Sequence, residues 1–184
     1  MCGRYVLSDQ AVLDNYWAEL TLKYGGDLLK TLKFGEIFPH TFNVVLDKEA
    51  SPSIMKWEYN VFNRQVINTR IESIRDKSFY RNASRCLIPA TGFYEWDKEK
   101  NRYLIHDNDS LFFMAGIYQQ ENDQFNYSVI TRPASQTRYI HERAPVIMNR
   151  EEAREYLKKM DIDAMIRNNP DMQIESPLLK LDLF

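Results

Sequence analysis

Short runs in which apolar and polar residues alternate outnumber helical stripes along this chain. Ser8 and Asp9 have the character of a helix start, and Val12, Leu13, Tyr16, Trp17 and Leu20 then recur at helical spacing. One face of that helix is expected to pack inward, and Gly25-Gly26 marks its break. Strands are expected at Thr41–Leu46, Ser53–Trp57, Gln65–Ile71, Gly92–Trp96, Tyr103–His106, Leu111–Tyr118 and Tyr127–Thr131, all rich in β-branched and aromatic residues. Turn-forming triplets, Asp107-Asn108-Asp109 and Glu121-Asn122-Asp123, separate some of them. Near the end, Asn149 can cap a helix over Arg150–Lys159, with Glu151 and Glu152 in its first turn. Asp161–Arg167 reads as a second short helix, and the chain from Asn169-Pro170 onward reads as a strap or frayed tail. The expected fold is therefore α+β: a single domain over residues 1–184, with a β-rich, curled or barrel-like antiparallel core flanked by helices.

Composition narrows this picture. At 184 residues and 44% hydrophobic content the chain is long enough to bury a real core. A formal net charge of −2 excludes a protein that coats duplex DNA by its overall field, so any nucleic-acid contact must come from a local cluster of arginines. Two cysteines cannot build a disulfide framework. The first twenty residues include Arg4, Asp9, Asp14 and Glu19 and lack a signal-peptide core. No run approaches the roughly 18 apolar residues that span a bilayer. The expectation is a cytoplasmic protein, nucleoid-associated when on DNA if bacterial, with no membrane contact and Cys2 kept as a thiol.

Four stretches carry candidate chemistry. The first is Met1-Cys2-Gly3-Arg4. Cys is small enough at position 2 for methionine removal, after which Cys2 would offer an α-amine and a thiol on adjacent carbons. An amine of ordinary pKa near ~8 can form a Schiff base with an aldehyde, and the thiol can then close onto the imine carbon to give a thiazolidine. A Cys at this position can equally be an accident, and a terminal Cys also serves glutamine amidotransferases. The second stretch is Gly92-Phe93-Tyr94-Glu95-Trp96, which follows Arg85-Cys86-Leu87-Ile88-Pro89-Ala90-Thr91. If Glu95 faces the core it becomes a general acid or base; by alternation alone an acid more often faces water. Cys86 reads as a small buried apolar residue. The third is His141-Glu142-Arg143-Ala144-Pro145, in which His141 can exchange a hydrogen bond with a sugar hydroxyl and Arg143 can clamp a phosphate, or both can sit in a solvated loop. The fourth is Asn68-Thr69-Arg70-Ile71-Glu72, whose alternate polar residues would line a cleft on one side of a strand or could equally form the solvated face of a sheet, which is the expectation for Glu72. His40 and His106 carry no functional expectation.

Taken in order, these motifs resemble the SRAP family, the SOS response-associated peptidases or abasic site processing proteins. The likeness rests on Cys-Gly-Arg at the start, Asn-x-Arg-x-Glu, the long Arg-Cys-Leu-x-Pro-Ala-x-Gly-Phe-Tyr-Glu-Trp block, Ala115–Tyr118, Ile130-Thr131 and His-x-Arg-x-Pro. These span residues 2–146 and leave 147–184 for C-terminal helices and a strap. The resemblance implies a sensor that crosslinks itself through Cys2 to abasic sites in single-stranded DNA. It implies catalytic roles for Cys2, Glu95, His141 and Asn68, and DNA contacts for Arg4, Arg70, Arg143, Pro39 and Trp57. It implies no cofactor and no metal, and a monomer is expected. A thiol autopeptidase using Cys2 and a noncovalent single-stranded nucleic-acid binder are the alternatives. The chain departs from the family pattern at Glu36, which stands where the family has Asn, in the shortened segment after Trp57, and at Ala144, which stands for Met.

Overall fold

At Asn122 and Asp123 both φ angles are positive, 47° and 62°, and the flanking residues Glu121 and Gln124 pair directly. This two-residue turn matches the twist of its strands and sets the register of the longest hairpin in the molecule. The computed structural model describes residues 2–8, 15–30, 32–108, 110–158 and 170–176. Its elements in chain order are β1 (Arg4–Leu7), α1 (Trp17–Tyr24), α2 (Gly26–Leu29), β2 (Gly35–Ile37), β3 (Phe42–Leu46), β4 (Pro52–Lys56), β5 (Tyr59–Val61), β6 (Arg64–Val66) and β7 (Asn68–Arg70). There follow α3 (Ile71–Asp76), a 3-10 turn (Ser78–Tyr80), β8 (Ser84–Ala90), β9 (Gly92–Trp96), β10 (Arg102–His106), β11 (Phe112–Glu121) and β12 (Gln124–Pro133). β13 (Arg143–Pro145), β14 (Ile147–Met148), α4 (Arg150–Lys158) and β15 (Gln173–Glu175) complete the order.

Five strands close on themselves in the order β12-β4-β3-β8-β11, with β11 pairing back to β12. A second sheet, β15-β10-β9-β1-β2, is wholly antiparallel. The barrel-like core and the α+β class are therefore as the alternation predicts. One correction concerns direction: β4 and β7 both run parallel to β12, each separated from it in sequence by a long crossover rather than a tight turn.

Alternation along β8 and β11 divides the interior in two. Cys86, Ile88, Ala90, Phe112 and Met114 face a core shared with Cys2, Tyr5, Leu7, Phe93 and Ile105 of the second sheet. Leu87, Phe113, Ala115 and Ile117 face the other way, under Ile71 of α3 and Ala153 and Tyr156 of α4. Gly116 sits where strands approach closely: a Cβ there would lie 2.5 Å from Ile88 Cδ1 and 2.8 Å from Cys86 Sγ.

The predicted helix ends are mostly met. Asn149 Oδ1 accepts the N–H groups of Glu151 at 2.9 Å and Glu152 at 3.0 Å, and Glu152 Oε2 accepts the Asn149 N–H, which is a reciprocal capping box. Gly25, with φ 77°, ends α1 by donating its N–H to the Thr21 carbonyl. The expected strand over Gln65–Ile71 is instead β6, β7 and then α3, because Ile71 turns into the core and opens a helix with Glu72 in its first turn. Ser8 follows β1 and Asp9–Asp14 lie outside the described residues, as do Asp161–Arg167 and much of the terminal strap, but β15 is the part of that strap that docks, on β10. Among the described residues no helix is long and apolar enough to cross a membrane.

Candidate active site around Cys2

β1 brings the start of the chain into the middle of the second sheet. Arg4 pairs with Tyr94 and Tyr5 with Phe93, so continuing the same register sets Gly3 opposite Glu95. Strand parity then decides how β9 presents its side chains. Phe93 and Glu95 point inward and are buried, while Tyr94 and Trp96 lie half-exposed on the outer face. Glu95 therefore does not face water, although its strand reads equally well in either orientation. Burial raises its carboxyl from the ordinary range to about 7.

Cys2 is buried in the same core. Its carbonyl accepts the Asn68 Nδ2–H at 2.7 Å, and its thiol contacts the Arg4 carbonyl at 3.6 Å. Burial, with a further push from the Glu95 carboxylate, raises the Cys2 thiol well above its usual pKa, so it stays protonated at neutral pH. Asn68 reaches Cys2 from β7, which lies alongside β12 with Asn68 opposite Val129. Its side-chain oxygen is buried and accepts no hydrogen bond among the described residues. Met1 lies outside them.

His141 precedes β13 and Arg143 opens it, and β13, like β7, pairs with β12 at Thr131. The Arg143 backbone N–H donates to His141 Nδ1 at 3.0 Å. Nδ1 also lies 3.3 Å from the Arg143 carbonyl, and the shorter contact favours Nδ1 as the acceptor, with the proton on Nε2 in the neutral ring. Burial holds the imidazole below its usual pKa, favouring that neutral form. The Arg143 guanidinium makes a two-pronged pair with Glu72 at 2.9 and 3.0 Å and donates to the Thr131 carbonyl at 2.6 Å. Thr131 is also the register partner of Arg70, so the His-x-Arg loop and the Asn-x-Arg strand are held against each other through β12.

Several predicted residues stand elsewhere than expected. Trp57 is fully buried: it stacks on Tyr127 at 6.3 Å, contacts Tyr5 at 5.2 Å, and donates Nε1–H to the Ile67 carbonyl at 2.8 Å. It is a core residue and has no face on which a base can stack. Arg143 is likewise buried, with its two terminal nitrogens engaged by Glu72 and the Thr131 carbonyl. Glu72, expected in solvent, is its partner, and those hydrogen bonds hold its carboxyl below the usual range. Arg70 is exposed and Pro39 half-buried in a turn before β3. Arg4 lies on the outer face of β1, paired with Glu36 at 2.8 Å. Sequence reasoning missed Tyr94, Trp96 and Arg102, which lie with Arg4 on that outer face. The signal was present in the parity of β9, once Glu95 is known to point inward. Cys86 is buried as expected, which raises its thiol pKa. Among the described residues no group of acidic, His and Cys side chains is placed to hold a metal ion.

Comparison with known proteins places this arrangement in context. Residues 1–176 match the SOS response associated peptidase (SRAP) family. The chain is 26% identical over 179 residues to abasic site processing protein YoaM of Bacillus subtilis, covering 85% of this chain and 79% of that one. It is 31% identical over 113 residues to abasic site processing protein YobE of the same organism, covering 54% and 52%. It is 27% identical over 158 residues to abasic site processing protein HMCES of Xenopus tropicalis, covering 68% of this chain but 43% of that one. The chain thus spans about half or less of the latter two relatives. A crystal structure of a protein from Bordetella bronchiseptica has the same fold, with a TM-score of 0.73 at 17% identity, over 95% of this chain and 99% of that one.

Proposed function

The chain belongs to the SOS response associated peptidase (SRAP) family, and from that premise we propose that it captures abasic sites in single-stranded DNA through a thiazolidine formed on Cys2. The observation that carries the reading is the convergence of Cys2, Asn68 and Glu95 at one end of β1.

The chemistry requires Cys2 to be the first residue, so Met1 must be removed. The unprotonated α-amine of Cys2 attacks the aldehyde carbon of the ring-opened sugar, forming a C–N bond and a hydroxyl. Loss of that hydroxyl as water gives the imine. The Cys2 S–H then adds across the C=N bond: sulfur bonds to carbon, and the nitrogen gains a proton. A carboxyl that titrates near 7 suits both proton movements, giving a proton to the departing hydroxyl and taking one from the thiol. The thiol needs this help, because burial keeps it from ionising unaided. Neutral His141, with its proton on Nε2, is suited to donate to the sugar hydroxyl released by ring opening. Asn68 fixes the Cys2 carbonyl, limiting the positions that the amine and thiol can take. A thiol held protonated in a buried site weighs against Cys2 acting as a preformed thiolate in a peptidase.

Incubating the Met1-processed protein with a single-stranded oligonucleotide carrying one abasic site should give a band that resists denaturation, and Cys2→Ala should abolish it. A processed wild-type protein that gives no such band overturns the proposal. A band that persists in Cys2→Ala overturns the role of Cys2.

A further inference from the structure

On the outer face of the second sheet, opposite the buried site, two cations converge on one anion. Cross-strand register sets Arg4 against Tyr94, Arg102 against Trp96, and Glu36 against Val6, so the side chains share one face. The Arg4 guanidinium lies 4.4 Å from the Phe38 ring centre and 5.3 Å from that of Trp96, and the Arg102 guanidinium lies 4.2 Å from Tyr94. Arg4 Nη1 donates to Glu36 Oε1 at 2.8 Å, and Arg102 Nη1 approaches the same oxygen at 3.4 Å. Side-chain exposures of 36% for Arg4, 27% for Glu36 and 45% for Arg102 leave all three open to exchange with a ligand.

Arginines steadied by rings, beside half-exposed aromatics, form a surface that suits a single strand: guanidinium for phosphate, rings for bases. Glu36 accepts from both guanidinium groups. A carboxylate and a phosphodiester are both anions that accept charge-assisted hydrogen bonds from guanidinium groups. An ion pair this exposed is weak enough for a ligand to displace. We infer that Glu36 is a built-in competitor for backbone phosphate, and that it lowers the affinity of this face for undamaged single strands. The inference rests on the capture reading and deepens it. Undamaged DNA, held only by reversible contacts, is released, whereas an abasic strand is retained by a bond that Glu36 does not touch. The competitor thereby widens the difference in residence between the two.

The test is fluorescence anisotropy of an undamaged single-stranded oligonucleotide against wild type, Glu36→Gln and Glu36→Asp across a salt series. Glu36→Gln should bind about two- to fivefold more tightly at low salt. Its log affinity should fall more steeply with log salt, by about 0.7, because one more net positive charge meets the strand. Glu36→Asp, which keeps the charge, should follow the wild-type slope. Equal or weaker binding by Glu36→Gln, with an unchanged slope, overturns the inference. The same proteins are then given the abasic strand. If the wild type forms its adduct while Glu36→Gln binds undamaged strands no better, the inference falls alone. If Glu36→Gln binds more tightly and the wild type forms no adduct, the competitor role stands and the capture reading falls. If neither the wild type nor Glu36→Gln binds and the wild type forms no adduct, both fall.

Discussion

Glu95 owes its character to the parity of one strand. Its neighbours Phe93, Tyr94 and Trp96 are all aromatic, so hydrophobicity alone gives either face of β9 an equal claim on the core. What settles the matter is the pairing of Tyr5 with Phe93, which buries that side of the strand and Glu95 with it. Sequence exposed the residue and its two orientations; the choice came from a partner strand nearly ninety positions away. The burial has a measurable consequence. An acid whose pKa rises from 4.5 unfolded to about 7 folded binds more protons in the folded state between those values, so its contribution to stability is lost as pH rises through that window. The loss amounts to about 3 kcal/mol. Denaturant unfolding at several pH values should therefore show Glu95→Gln gaining stability over wild type as pH goes from 4.5 to 7.5. A difference independent of pH would mean that Glu95 titrates normally.

At the scale of elements, patterns with a local cause were readable and those with a distant cause were not. The cap of α4 and the Asn122-Asp123 turn depend on residues a few positions apart, and both stand where the sequence put them. The break between β7 and α3 depends on where Ile71 meets the core, and the burial of Trp57 depends on Tyr5 and Tyr127, so neither was visible along the chain. β8 carries Pro89, a residue uncommon within sheets, here opposite Phe113, so its strand signal along the chain is weak. The Ala115–Tyr118 motif gains a physical reason: Gly116 is the point at which β11 passes over Ile88 and Cys86 with no room for a methyl group. Gly116→Ala should cost about 1–3 kcal/mol through overpacking, read as a lowered denaturation midpoint with an unchanged denaturant slope. Unchanged stability would show that the barrel yields there without strain.

For the molecule as a whole, a near-neutral net charge directs attention to where the arginines lie rather than how many there are. The fold sorts them. Arg143 is spent inside, holding the His141 loop to α3 through Glu72; Arg70 is exposed on β7; Arg4 and Arg102 lie on the outer face with Glu36. The same sorting joins residues 2, 68 and 95, which are far apart in sequence, around the first strand, and ties the segment of residue 141 to β12, which also pairs with the strand of residue 68. The central claim is that the amine and thiol of Cys2 together trap an abasic aldehyde, and the most direct measurement is intact mass spectrometry under denaturing conditions. The Met1-processed protein, mixed with an abasic oligonucleotide, should give a species equal to the two masses less one water, stable to hydroxylamine, while protein that retains Met1 gives none. An adduct of equal yield from the Met1-retaining form, or none from the processed form, would contradict the account.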